Sequence, residues 1–199
     1  MTVSTIYLRS IQEVCRFAGN EATRPDLHGV YVENHDGSCN IVATNGHVLC
    51  VRRIVDPDIQ PIGNVVIPPD VVNHWRFTKK AEDQKAALVN QGGGSFAITD
   101  GTVTRIFKSI EKYPDWRRVV PTQASGEMGQ FNWDYLSRLK KFGEALDIGS
   151  PALVPNGTND PAIVRFKDPY TFAVLMPMRA DTPAMEPPLW LTEVTKNAA

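Results

Sequence analysis

Residues 30–55 read VYVENHDGSCNIVATNGHVLCVRRIV, three apolar or alternating runs joined at Asp36-Gly37 and Asn45-Gly46. Dipeptides of this kind tolerate the positive φ angles of tight hairpin turns, so the stretch reads as three antiparallel strands in sequence. The same punctuation recurs downstream. Gly92-Gly93-Gly94 and Asp100-Gly101 make a second pair of turns, and Asn156-Gly157 with Asp168-Pro169 a third.

A stretch of helical periodicity precedes each pair. Leu8 to Ala18 places Leu8, Ile11, Val14, Cys15 and Ala18 on one face. Pro69 to Lys80 opens with Pro-Asp in its first turn and would bury Val71, Val72 and Trp75. Asn132 to Ala145 would bury Tyr135, Leu136, Leu139 and Phe142, with Asn132 as N-cap. Each helix follows a short extended piece: Val3 to Ile6, Asn64 to Ile67, Met128 to Phe131. The chain thus repeats a unit of strand, helix and three hairpin-linked strands, beginning near residues 3, 64 and 128.

Two such units predict a two-layer α+β domain, with helices on one face of antiparallel sheets. The domain would occupy roughly 1–121 and a half-domain of one repeat 128–180, with a flexible tail over 181–199, DTPAMEPPLWLTEVTKNAA.

Composition restricts the function. Hydrophobic residues at 42% and charged residues at 22% are ordinary for a globular protein, and a formal net charge of -1 excludes a uniformly basic nucleic-acid binder. MTVSTIYLRS has no apolar region after a basic start, and no apolar run approaches the ~18 residues a membrane helix needs. Cys15, Cys39 and Cys50 follow no disulfide framework spacing, which fits a reducing cytoplasm.

Catalytic constellations are weak. His35 with Cys39 and His47 with Cys50 have zinc-like spacings, but both pairs straddle turns, and the cysteines fall in strands where small apolar residues suit a core. No G-x-S-x-G elbow is present, and QGGGSF lacks the Lys-Ser/Thr of a phosphate cradle. Asn156-Gly157-Thr158 matches a glycosylation acceptor that an intracellular chain would leave unused. No catalytic residue, metal or cofactor is expected.

The helices share a basic polar face. Arg9 and Arg16, then Arg76, Lys79 and Lys80, then Arg138, Lys140 and Lys141 lie mostly three, four or seven residues apart. Such cations facing phosphates would hold double-stranded DNA without sequence specificity.

Several segments together resemble one family. TRPDLHGV (23–30), IVATNGHVL (41–49), VIPPDVV (66–72), EKYPDWRRVVP (111–121) and TFAVLMPMR (171–179) are similar to signatures of the bacterial sliding clamp, the beta subunit of DNA polymerase III. Residues 1–121 resemble the clamp's middle domain and 128–179 the second half of its carboxy-terminal domain. The clamp's first domain and the first half of its last have no counterpart here. In the family these segments converge on a pocket for partner peptides. The matching positions are Arg24, Leu27, Thr44, Gly46, His47, Val48, Leu49, Pro114, Arg118, Val119, Val174, Met176, Pro177, Met178 and Arg179. Family members usually carry Arg where Val48 stands. The resemblance implies a non-enzymatic sliding-clamp homologue that docks replication or repair proteins. An alternative is a truncated clamp mimic that competes for their peptides without encircling DNA. A homodimer pairing third repeats about a twofold axis is expected, and two dimers would close a tetrameric ring. The alternative is a monomer, open to the chain if the third repeat's strands extend the first domain's sheet.

Overall fold

The computed structural model describes residues 2–21, 23–77, 83–110 and 112–179. The first hairpin pair forms as its turn residues dictate. β2 (Val30–His35), β3 (Ser38–Thr44) and β4 (Val48–Val55) pair antiparallel, with His35 opposite Ser38 and Thr44 opposite Leu49. Gly37 and Gly46 hold φ of 68° and 90°, angles open to glycine at little cost. The Asn45 side chain accepts from the His47 and Val48 amides and fixes the second turn.

Two lead strands change places between repeats. β1 (Thr2–Tyr7) pairs with β6 (Lys85–Gly92), which continues through β7 (Ser95–Thr99) to β8 (Thr104–Lys108). β5 (Val65–Ile67) pairs in turn with β2. This exchange ties the first two repeats together. The third set, β9 (Ala152–Val154), β10 (Ala162–Arg165) and β11 (Thr171–Leu175), joins through a β4–β11 ladder. The result is a seven-stranded sheet, β5-β2-β3-β4-β11-β10-β9, beside a four-stranded one, β1-β6-β7-β8. All the pairings are antiparallel.

The lead strand expected over Met128 to Phe131 does not form. That segment is held by isolated bonds, Gly157 N–H to the Glu127 carbonyl (3.1 Å) and Met178 N–H to the Gln130 carbonyl (2.6 Å). A Cβ at Gly129 would lie 3.0 Å from the Thr158 carbonyl and from Pro177, so the chain is routed across loop ends, away from a ladder.

The first two helices are shorter than their periodicity suggests. α1 (Leu8–Cys15) has no side-chain cap from Tyr7, and the Asp83 carboxylate accepts from the Arg9 and Ser10 amides instead. α2 (Pro69–Val72) is a single turn, not the expected run to Lys80. Trp75 is drawn into tertiary contacts, its indole donating to Asp100 (2.9 Å) and its carbonyl accepting from Gln12 (2.8 Å). Residues 78–82 and the expected tail over 181–199 lie outside the described residues. α3 (Trp133–Leu146) is capped by Asn132, whose side chain accepts from the Asp134 amide, as its sequence predicts.

One large core unites the repeats. Phe17 meets Phe142 edge-on at 5.4 Å, and Phe142 meets Phe166 at 5.5 Å, joining the first repeat to the third. Burying Phe17 or Phe142 completely contributes ~1.5–3 kcal/mol each. Cys39 and Cys50 lie in this core and Cys15 at its edge. Burial pushes the Cys15 thiol up to about 11 and the Cys39 thiol to about 12, so both stay protonated and unreactive. A second cluster, Val42, Leu49, Val51 and Val174, forms on the opposite face of the seven-stranded sheet. That face positions the site.

Candidate functional site

Strand alternation sends Ile41, Ala43, Cys50, Ala173 and Leu175 into the main core, and Val42, Leu49, Val51 and Val174 to the other face. Residues 113–120 lie across that second face. Tyr113 stacks on Tyr31 at 4.7 Å, and Trp116 and Val120 pack on the cluster. A bidentate ion pair pins the segment: Arg117 donates to both oxygens of the buried Glu33 carboxylate, at 2.8 and 2.7 Å. Asn40 donates to the same carboxylate at 3.0 Å, and the Arg117 guanidinium stacks over Trp116 at 4.2 Å. Burial alone would raise the Glu33 carboxyl, but the Arg117 and Asn40 hydrogen bonds outweigh it and hold the group below the usual carboxylate range.

The seam of β4 and β11 and the 3-10 turn at Trp116–Val119 leave an apolar cavity of about 200 Å³. It is lined by Arg24, Leu27, Thr44, Gly46, His47, Val48, Leu49, Pro114, Asp115, Trp116, Val119, Val174 and Met176. A wider groove of about 520 Å³ continues from it along Met176, Pro177, Met178 and Arg179, with Asn132 and Tyr135 opposite. Gly46, His47 and Met176 belong to both openings. The structure therefore brings together every position proposed for the pocket except Arg118. In a 3-10 turn residues three apart share a side, so Trp116 and Val119 face the cavity and Arg117 faces Glu33, while Arg118 is left exposed. Sequence reasoning missed Asp115, Trp116, Asn132 and Tyr135. Trp116 stands inside the YPDWRRVVP segment, and Tyr135 packs partly buried against the core, as its helical spacing predicts, while also lining the groove.

Beyond Arg24 and His47 lies a polar cleft of about 820 Å³ between the end of α1 and the start of α3. Arg16, Arg138 and Lys141, from the proposed DNA-facing set, line it with Arg24. Arg138 donates to the Arg16 carbonyl (2.9 Å) and lies over the Tyr135 ring. Tyr135 in turn accepts from Asn45 and stacks near His47, forming the partition between cleft and groove. Arg9 requires correction: it is 8% exposed, and its guanidinium donates to the Ala145 carbonyl, so it does not belong to a solvated basic face. Arg76 is exposed but lines no cavity described here, Lys140 lies 3.7 Å from Glu144, and Lys79 and Lys80 fall outside the described residues.

Among the described residues no group of three or more His, Cys, Asp or Glu could hold a metal ion. Cys39 and Cys50 are buried in the core, while His35 and His47 are exposed, which separates each zinc-spaced pair. No helix among the described residues is long and apolar enough to cross a membrane.

No family model matches the chain, and no curated protein matches it. Solved structures do. The DNA polymerase III subunit beta from Pseudomonas aeruginosa is similar at 18% identity and a TM-score of 0.68, over 90% of this chain and 67% of that one. The DNA polymerase sliding clamp from Bacillus subtilis is similar at 16% identity and a TM-score of 0.70, over 90% and 64%. A Pseudomonas aeruginosa sliding clamp bound to griselimycin is similar at 17% identity and a TM-score of 0.66, over 90% and 66%. The chain has the sliding-clamp fold. It is an α+β protein of antiparallel sheets with the architecture of the bacterial DNA polymerase III beta subunit, and it spans about two thirds of the length of those clamps.

Proposed function

We propose that this chain is a sliding-clamp homologue whose pocket docks short peptides of replication or repair proteins. The observation that carries the reading is the convergence of residues 44–49, 114–119 and 174–179 on one apolar cavity and its groove. Leu49, Val119, Val174 and Met176 offer apolar walls, while Arg24, His47 and Arg179 supply a polar rim. Met176 and Met178 are partly exposed and flexible, which suits a surface accepting several related motifs. A structural neighbour described with griselimycin bound supports ligand binding by this fold in general terms.

The role is docking, not catalysis, in the cytoplasm, with no metal or cofactor. Double-stranded DNA would meet Arg16 at the end of α1 and Arg138 and Lys141 on α3, of which Arg16 and Lys141 are exposed and Arg138 half-buried. Assembly would be a homodimer on the third repeat. The outer edge of β9 has no strand partner among the described residues, and a groove of about 270 Å³ lies open between α3 and β9–β10. Two dimers would close a tetrameric ring.

A second reading, the truncated clamp mimic, is favoured by Arg9: its burial removes one cation from the stripe that would face DNA. Titration calorimetry with a peptide carrying Gln and a following Leu-Phe pair should give a micromolar Kd, about -8 kcal/mol. Absence of heat at millimolar peptide would end the docking reading. Duplex binding at low salt separates the two forms: retention supports the clamp, and none supports the mimic.

A further inference from the structure

The cleft between α1 and α3 adjoins the apolar cavity. The two share Arg24, Leu27 and His47, so a peptide anchored in the cavity and leaving past these side chains enters the cleft. The charges it meets there are unbalanced. Arg16 is taken up by Glu13 at 2.6 Å, which leaves Arg24, Arg138 and Lys141 against Glu21 and Asp134. Asp134 sits in the first turn of α3, where the helix dipole already offsets a carboxylate. The chain as a whole carries a net charge of -1, so this local excess of cations is not a property of the whole surface.

We propose that the cleft is a subsite for carboxylates flanking the apolar anchor of a docked peptide, so that the chain selects acid-flanked partners over neutral ones. This rests on the peptide-docking reading. Exposed ion pairs are individually weak and screened by salt, but complementary charges beside an apolar anchor discriminate among partners. A phosphate backbone would use the same cations, yet it gains nothing from an apolar cavity beside them. That adjacency favours a peptide.

Fluorescence anisotropy tests the proposal with peptides that share Gln and a Leu-Phe pair and differ only in two flanking residues, Glu-Glu, Gln-Gln or Lys-Lys, at either end. At low ionic strength the Glu-flanked peptide binds about tenfold tighter than the Gln-flanked one, and about 0.5 M salt removes most of the difference. Lys141→Gln or Arg138→Gln cuts the preference several-fold, and Lys141→Gln leaves the Gln-flanked peptide within about twofold of its original Kd. Lys141 is exposed, so its replacement leaves the fold intact. Equal binding of the Glu- and Gln-flanked peptides, or a preference undiminished in both variants, overturns the subsite alone. If the Gln-flanked peptide itself does not bind, the docking reading falls and takes the subsite with it. A short DNA duplex that loses affinity in Lys141→Gln, with no gain from flanking Glu, gives the cleft to phosphate and also overturns the proposal.

Discussion

Met176 and Leu49 both line the cavity, but burial separates their roles. Met176 is 37% exposed at the mouth, whereas Leu49 is 3% exposed within the outer cluster. Met176→Ala should therefore weaken peptide binding by ~1–3 kcal/mol through lost apolar contact, with little change in melting temperature. Leu49→Ala should also destabilise the fold by ~2–4 kcal/mol, visible in urea denaturation, because the cavity it leaves cannot collapse freely. Gly46 is a different case. Its φ of 90° suits glycine, and an added Cβ would lie 2.8 Å from an Arg24 guanidinium nitrogen. Gly46→Ala should cost ~1 kcal/mol in backbone strain. It should also push Arg24 off the pocket rim, so peptide affinity falls further than stability does. Thermal melts beside peptide titrations separate the two effects.

At the scale of elements, the Glu33–Arg117 pair decides whether residues 113–120 stay on the sheet. Arg117→Ala leaves a buried carboxylate unpaired and should cost ~1–3 kcal/mol, with loss of the cavity wall and of peptide binding. The pH dependence follows from the Glu33 shift. Its carboxyl is held below the ordinary value when folded, so its contribution is present above the unfolded pKa and is lost as pH falls through the folded one. Peptide affinity should decline as pH falls below the ordinary glutamate range, whereas Glu33→Gln should flatten that decline. Affinity measured across pH for both proteins checks this. The pair was not legible in the sequence, because 84 residues separate its partners. Asp83 capping α1 is hidden for the same reason. Signals complete within a few residues were legible: Asp36-Gly37 and Asn45-Gly46 set their hairpins, and Asn132 capped α3. Where tertiary contacts compete, local periodicity misled. Trp75 bonded to Asp100 where a helix was expected to continue, and residues 128–131 crossed loop ends where a strand was expected. The pocket segments were legible through resemblance, whereas Tyr135, at the first turn of α3's core face, is only partly buried and so also lines the groove.

For the whole molecule, the third repeat shares one sheet with the first and one core with both others. This sharing lessens its need for a second chain, since its sheet face is already covered. The outer edge of β9 remains the place where another copy would pair. Light scattering across a concentration series should show a mass rising toward twice 22.1 kDa. Val154→Lys, which places a charge on that edge, should hold it at the monomer. A wild-type mass fixed at 22.1 kDa would eliminate dimer and ring and leave the mimic ahead. The central claim is that three distant segments form one peptide-docking pocket, and amide chemical-shift mapping addresses it most directly. Titration with a Gln/Leu-Phe peptide should move the amides of residues 44–49, 116–119, 174–176 and 178 together, with one shared dissociation constant, and leave β7 and β8 still. No movement at these amides, or movement confined to β7 and β8, would contradict the account.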